Sequence, residues 1–414
     1  MRSRGALRDL VTRAAAWAGA VTTLTASIGL TPAAATPGPA SLPGVSQTVS
    51  GGTSGCLKPS TAESVRVPWP QTYLRPENVW PLTQGAGVRV AVVGSGVDDG
   101  SGLLGTRLTL GPRLYGHGDA GRDCVGHGTF IAGLIAARRR AGVGFAGIAP
   151  QAEVLSVAVT DDIGVTTPGL LAKGIRAAAD AGSDVIDVAV PVTAGSPALA
   201  SAVGHANAHG ALVVAPAAAD GHPGGPVYPA AYRDVLAVSD IGPNGLPPQS
   251  AASGGRVDLS APGDAVMSVG PGGPGDFTGT GPSYAAALVA GTAALTLAYR
   301  PRMSPAELRS RLEITAYHPG TTMPDPRLGY GTVDPASAVG MALPEQAGAA
   351  ARSTGPRPVP AMPPPRPRQG NAPAYRVAAG AAAAIALVGF GAVVIPRGRR
   401  RGWRPSMRRP DPPA

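Results

Sequence analysis

Four side chains of this 414-residue chain stand in settings that could do chemistry: a serine, a histidine and two cysteines. Ser283 lies in Gly281-Pro-Ser-Tyr-Ala-Ala-Ala-Leu-Val-Ala-Gly291, at the start of an apolar, Ala-rich stretch. His127 lies in Asp123-Cys-Val-Gly-His-Gly-Thr-Phe-Ile-Ala-Gly133, flanked by glycines. A serine hydroxyl attacks a carbonyl only beside a base; imidazole is the usual base, and a third group orients it. Such a set performs acyl transfer. A lone histidine in a helix is more often structural, so its flanking residues must decide. Cys56 and Cys124 are the two cysteines. In a chain with the export features below, a disulfide is the natural reading. Two thiols alone cannot complete a usual zinc site, and no metal or cofactor is expected.

The elements that must position these residues alternate. Val88–Val93, Glu153–Val159, Val185–Val190, Ala211–Ala215 and Val235–Ser239 are short, β-branched apolar runs bounded by Gly, Pro or Asp, as buried parallel strands are. Helical stretches such as Phe130–Arg139, Pro168–Ala181 and Ser196–His209 separate them. Strand–helix repetition over some 250 residues predicts a parallel sheet with helices on both faces. Ser283–Tyr299 reads as a buried central helix ended by Arg300-Pro301, and Ser304-Pro-Ala-Glu307 as a capping box opening the next. Residues 36–55 read as an extended arm. Residues 56–85, with many prolines and two tryptophans, read as a segment that wraps the core without regular structure. No internal repeat is present.

Both ends carry addresses. Arg2, Arg4, Arg8 and Arg13 precede an apolar stretch from Ala14 to about Leu30, which closes on Ala33-Ala34-Ala35. That pattern predicts a secretory signal peptide over 1–35, cut before Thr36; an uncleaved N-terminal anchor is the alternative. Residues 343–376 form a Pro-rich spacer. Residues 377–395 contain no charge, and 19 helical residues reach about 28 Å, the thickness of a hydrocarbon core. Seven arginines follow from Arg397 onward. The pair predicts a transmembrane helix with residues 396–414 as a basic cytoplasmic tail; a buried core helix is the bland alternative. The formal net charge of +10 sits in these ends. Residues 14–344 hold 19 basic and 22 acidic residues, a poor match to a phosphate backbone, so no nucleic-acid partner is expected. Few aromatics (4%) beside 59 Gly and 45 Pro reflect low-complexity ends, not disorder throughout.

The Ser283 segment resembles the nucleophile turn of subtilisin-like serine proteases, Gly-Thr-Ser-(aromatic or Met)-Ala-small-Pro-x-Val-Ala-Gly, with Pro282 and Ala287 replacing Thr and Pro. The His127 segment resembles the same family's Gly-His-Gly-Thr-x-Val-Ala-Gly. The resemblance implies a subtilisin-like three-layer α/β fold over 88–342, with residues 36–87 as an N-terminal extension. It also implies catalytic roles for His127 as base and Ser283 as nucleophile. Two further positions depart from the pattern. Val90-Ala-Val-Val-Gly-Ser-Gly-Val97 matches the family's Val-Ala-Val-Ile-Asp-Ser-Gly-Val, which places Gly94 where the catalytic Asp belongs. Loss of that acid costs about 10⁴ in turnover. Asp98 and Asp99 lie four and five residues on, as possible substitutes. Val213-Val-Ala-Pro-Ala-Ala-Ala-Asp220 places Asp220 at the oxyanion Asn, a change worth roughly 10²–10³. Asp187 stands at a family Asn, and Pro191 removes a backbone N–H from the substrate strand.

The lead-in Pro68-Trp-Pro-Gln, the Asp123-Cys-Val-Gly-His set, Arg327-Leu-Gly-Tyr-Gly-Thr-Val-Asp334, the spacer and the Arg tail resemble the mycosins, membrane-anchored subtilisin-like proteases of type VII secretion systems. By that likeness Cys56 pairs with Cys124. The partners it implies are secretion-complex subunits, a membrane, and a peptide or secreted-protein substrate. The expected location is the cell membrane, single-pass, with the large domain outside. The expected function is a structural or peptide-binding component with weak or no proteolysis. An active endopeptidase using Ser283 and His127 is the alternative.

Overall fold

The computed structural model describes residues 42–48, 56–219, 224–248, 255–320, 322–343 and 372–400. The expected signal peptide, Asp220, most of the spacer and the end of the tail lie outside the described residues. In chain order the elements are β1 (Gly44–Val45), α1 (Trp69–Leu74), β2 (Arg89–Gly94), β3 (Leu108–Arg113), α2 (His127–Ala136), β4 (Glu153–Ala158), α3 (Pro168–Asp180), β5 (Val185–Val188), α4 (Pro197–Ala208), β6 (Leu212–Pro216), β7 (Val235–Ile241), β8 (Leu259–Pro262), β9 (Val266–Val269), β10 (Asp276–Gly279), α5 (Pro282–Tyr299), α6 (Pro305–Ile314), α7 (Pro335–Gly340) and α8 (Ala372–Arg400).

Seven strands form one sheet in the order β3-β4-β2-β5-β6-β7-β8, every pair parallel. Alternate residues of each strand feed two cores. Val90, Val92, Val185, Leu212 and Val214 pack with α2 and α5 on one face; Ala91, Val93, Ile186, Val188 and Val213 pack with α3 and α4 on the other. The result is the subtilisin-like α/β architecture. The chain leaves β2 towards β3 and β4 on one side, then crosses to β5 on the other. The carboxyl end of β2 is therefore a topological switch point, where open parallel sheets bind ligands.

Local chemistry explains the helix starts. Thr167 and Ser196 cap α3 and α4 by accepting from the Leu170 and Leu199 amides, and Ser304 with Glu307 forms the full capping box of α6. Helix α5 is buried from Pro282 to Leu297, as its unbroken apolar run requires.

Three expectations can be set against the structure. The 56–85 segment is not without regular structure: it holds α1 and a 3-10 turn over Pro76–Asn78. Prolines in their first turns set φ without losing a needed N–H, and Trp69 Nε1 donates to the Asp264 carbonyl at 3.0 Å. Of the arm expected over 36–55, residues 42–48 are described, and there Gly44–Val45 pairs with β10 in a second, three-stranded sheet. The third concerns the C-terminal unit, Leu343–Ala414, where α8 runs through the apolar stretch. Among the described residues no helix is long and apolar enough to cross a membrane. The crossing expected over 377–395 is thus not supported by the described residues, and several side chains of α8 lie outside them.

Candidate active site

Helices α2 and α5 open side by side against the first core, and their first turns bring His127 and Ser283 together. The His127 Nε2 lies 2.9 Å from Ser283 Oγ. Gly126 caps α2 at φ +83°, a left-handed conformation natural to glycine, and a Cβ there would meet Leu57 at 2.5 Å. Pro282 occupies the first turn of α5, where its missing N–H is no loss. Tyr284 packs against the imidazole at 5.2 Å and against Phe130 at 4.7 Å between ring centroids.

The far nitrogen of His127 has no such support. Its Nδ1 is buried without a hydrogen-bond partner. Gly94, which ends β2, is where the resemblance puts the acid. A Cβ added there would stand 2.9 Å from the Ala189 Cβ and 4.0 Å from the Gly128 Cα, so the neighbouring chain lies close to the glycine. Nearby carboxylates are engaged elsewhere. Asp98 accepts from the Gly100 amide at 2.9 Å, and Asp99 accepts from the Leu104 and Gly105 amides at 3.1 and 2.6 Å. Asp123 accepts from the Gly126 amide at 2.8 Å and from the amide and hydroxyl of Thr129 at 2.8 and 2.7 Å, which caps α2. Neither Asp98 nor Asp99 substitutes for the missing acid in this geometry.

Chemistry follows from that orphaned atom. Serine activation needs the proton on Nδ1 and the lone pair on Nε2. With nothing to accept from Nδ1–H, that tautomer leaves a buried donor unsatisfied, at about 1–3 kcal/mol. The other tautomer donates from Nε2 to Ser283 Oγ and leaves the serine unactivated. Burial also pushes the His127 pKa down to about 3, so imidazolium is strongly disfavoured. The pair can hold a hydrogen bond but is badly placed to receive a proton.

Access is limited as well. His127 and Ser283 are 0% and 1% exposed. The arm crosses beside them: the Thr278 amide donates to the Pro43 carbonyl, the Tyr284 hydroxyl donates to the Val45 carbonyl at 2.9 Å, and the Gln47 carbonyl lies against Gly164. Gln47 and Thr48 line one side of a groove of about 390 Å³ whose other walls include Gly164, Val190, Pro191 and Ala219. Pro191 is part of that wall.

One polar residue of the site region was legible in the sequence only as an edited position. Asp187 on β5 is fully buried, and neither carboxylate oxygen has a hydrogen-bond partner. It points to the same face as Val185 and Ala189, opposite Val92 and Val214 in the neighbouring strands. Burial raises its pKa well above the ordinary carboxylate range. An acid inside the otherwise apolar Val185-Ile-Asp-Val188 was the available signal.

Cys56 and Cys124 form a disulfide, and the Leu57 amide donates to the Cys124 carbonyl at 2.8 Å. The bridge fixes the extension three residues before His127.

The family model described as the subtilase family matches residues 85–331. This chain is a subtilase. Mycosin-4 of Mycobacterium tuberculosis is 35% identical over 328 residues, covering 69% of this chain and 71% of that protein. The crystal structure of MycP1 from the ESX-1 type VII secretion system superposes with a TM-score of 0.63 at 28% identity, over 77% of this chain and 95% of that one. A chain in the periplasmic assembly of the ESX-5 inner membrane complex superposes with a TM-score of 0.63 at 26% identity, over 79% and 95%. Within the subtilases this chain is mycosin-like.

Proposed function

We propose that this subtilase is a membrane-anchored component of a type VII secretion complex, binding peptide or holding partner subunits, with weak or no proteolysis. The observation that carries the reading is the unpartnered Nδ1 of His127 beside Gly94. A subtilase that lacks its acid, carries Asp220 at the oxyanion position and keeps its dyad covered has lost large factors in turnover, even though such losses do not add. The likeness to MycP1 and to the ESX-5 assembly supports the secretion partner. The basic start, the apolar run over 377–395 and the Arg cluster support export and a single-pass anchor with the subtilase domain outside.

A second reading rests on the 2.9 Å contact of His127 and Ser283. Here the chain is a slow endopeptidase that cuts a secreted protein, with backbone N–H groups at the start of α5 serving most of the oxyanion hole.

Labelling of the full-length chain with a fluorophosphonate probe separates the two. The native chain and Ser283→Ala are expected to stay unlabelled, and Gly94→Asp with Asp220→Asn is expected to restore labelling. Labelling of the native chain that disappears in Ser283→Ala would sink the scaffold reading and establish the slow enzyme.

A further inference from the structure

On the face of the sheet away from the dyad, α3 and α4 end side by side. His205 lies in the last turn of α4 and His209 caps it, while Asp180 is the last residue of α3. The two imidazoles, four residues apart, lie over one another with ring centroids 4.0 Å apart. His205 Nε2 is 2.6 Å from Asp180 Oδ1. One ligand atom from each of the three residues lies within 4.8 Å of the others. We propose that Asp180, His205 and His209 bind a divalent transition-metal ion of the zinc class, which ties α3 to α4.

Several features select for such an ion. His209 Nδ1 donates to the His205 carbonyl at 2.8 Å, so the proton sits on Nδ1 and the Nε2 lone pair is free. That is how metal-bound histidines are held, one ring nitrogen fixed by an outer acceptor and the other turned to the ion. The Asp180 carboxylate already accepts from His205 Nε2, so a ligand oxygen faces a ligand nitrogen before any ion binds. Both helices present their carbonyl ends here, which favours positive charge.

Zinc bonds of about 2.0–2.1 Å set ligand atoms about 3.3 Å apart in a tetrahedron. Side-chain rotation of Asp180 and His209, both exposed, closes the set from its present spacing of up to 4.8 Å. The ion then takes the place of the proton on His205 Nε2, that proton moves to Nδ1, and the imidazole stays neutral. Two nitrogens with one carboxylate suit zinc and are too few oxygens for calcium or magnesium. The Asp180 side chain is 61% exposed, so a fourth position remains open to water or to a donor from another molecule. The opposing charge nearby is Arg176, whose guanidinium is held by Ser201 Oγ at 2.8 Å.

The test is calorimetric titration of the chelator-treated, full-length chain with zinc, and with calcium as control. One zinc per chain is expected, with no calcium binding at the same concentrations. His209→Gln and Asp180→Asn should each weaken binding by at least about tenfold. Zinc should raise the unfolding midpoint of the parent and leave that of His205→Gln/His209→Gln unmoved. Absence of saturable zinc binding overturns the site. So does binding that persists unchanged in the double variant, because it places the ion on other histidines. Neither outcome depends on whether the dyad is active.

Discussion

His127 and Asp187 are two buried titratable residues, each pushed by burial towards its neutral form, and their effects on stability oppose one another. The His127 pKa falls from 6.5 to about 3. Its neutral ring therefore contributes stability that is present above about 6.5 and is lost as pH falls towards 3. Asp187 has its folded value raised, so its contribution is complete below the unfolded value of about 3.9 and is lost as pH rises through the folded one. At neutral pH the carboxyl is a stability defect with two unsatisfied oxygens. Asp187→Asn removes the ionisation and keeps the volume. It should stabilise the chain at pH 7, and the gain should shrink as the pH is lowered towards 4. Denaturant midpoints measured from pH 4 to 8 check this. A gain that grows towards acid pH would mean that Asp187 is ionised and paired in the folded protein.

At the scale of elements, the site depends on what holds the first turns of α2 and α5. The Cys56–Cys124 bridge closes a loop with a sequence separation of 68 and sets the extension against Gly126 and the start of α2. By the chain-entropy relation such a loop is worth about 4 kcal/mol. Cys56→Ser/Cys124→Ser should lower stability by up to that amount in denaturant titrations. A loss of under about 1 kcal/mol would show that the packing of Leu57 and Pro59, not the covalent bond, fixes the extension. Much of this level was legible in sequence. The strands β2, β4, β5, β6 and β7 and the four long helices of the subtilase domain lie within a few residues of where apolar periodicity and caps put them. The motifs around His127 and Ser283 located the dyad because their glycines and alanines are dictated by close backbone approach. What stayed hidden is what pairing across the chain decides. Edge strand β3 contains Gly-Pro, which breaks the apolar pattern of a strand, and β1 is two residues of an arm whose partner lies more than 230 positions away. The histidines of α4 show their spacing, but the Asp180 that completes the cluster comes from another helix.

At the scale of the whole molecule, charge and apolarity are distributed unevenly along the chain. Residues 14–344 are slightly acidic, while the basic excess lies at the two ends. The proposed single-pass anchor assigns the 19-residue uncharged run to a bilayer's hydrocarbon core and the seven arginines after it to the cytoplasmic side. Full-length protein should therefore pellet with membranes and resist carbonate extraction. Ile385→Arg with Val388→Arg should release it, since a central arginine costs about 2.5–3.5 kcal/mol of insertion free energy. Orientation can be read with single thiols, because both native cysteines are bridged. Ser310→Cys lies on an exposed position of α6 and should react with a membrane-impermeant maleimide in intact spheroplasts. Ser406→Cys in the Arg tail should react only after permeabilisation. Reaction of both before permeabilisation would place the tail outside, and the anchor would then have to be replaced by peripheral attachment through the subtilase domain.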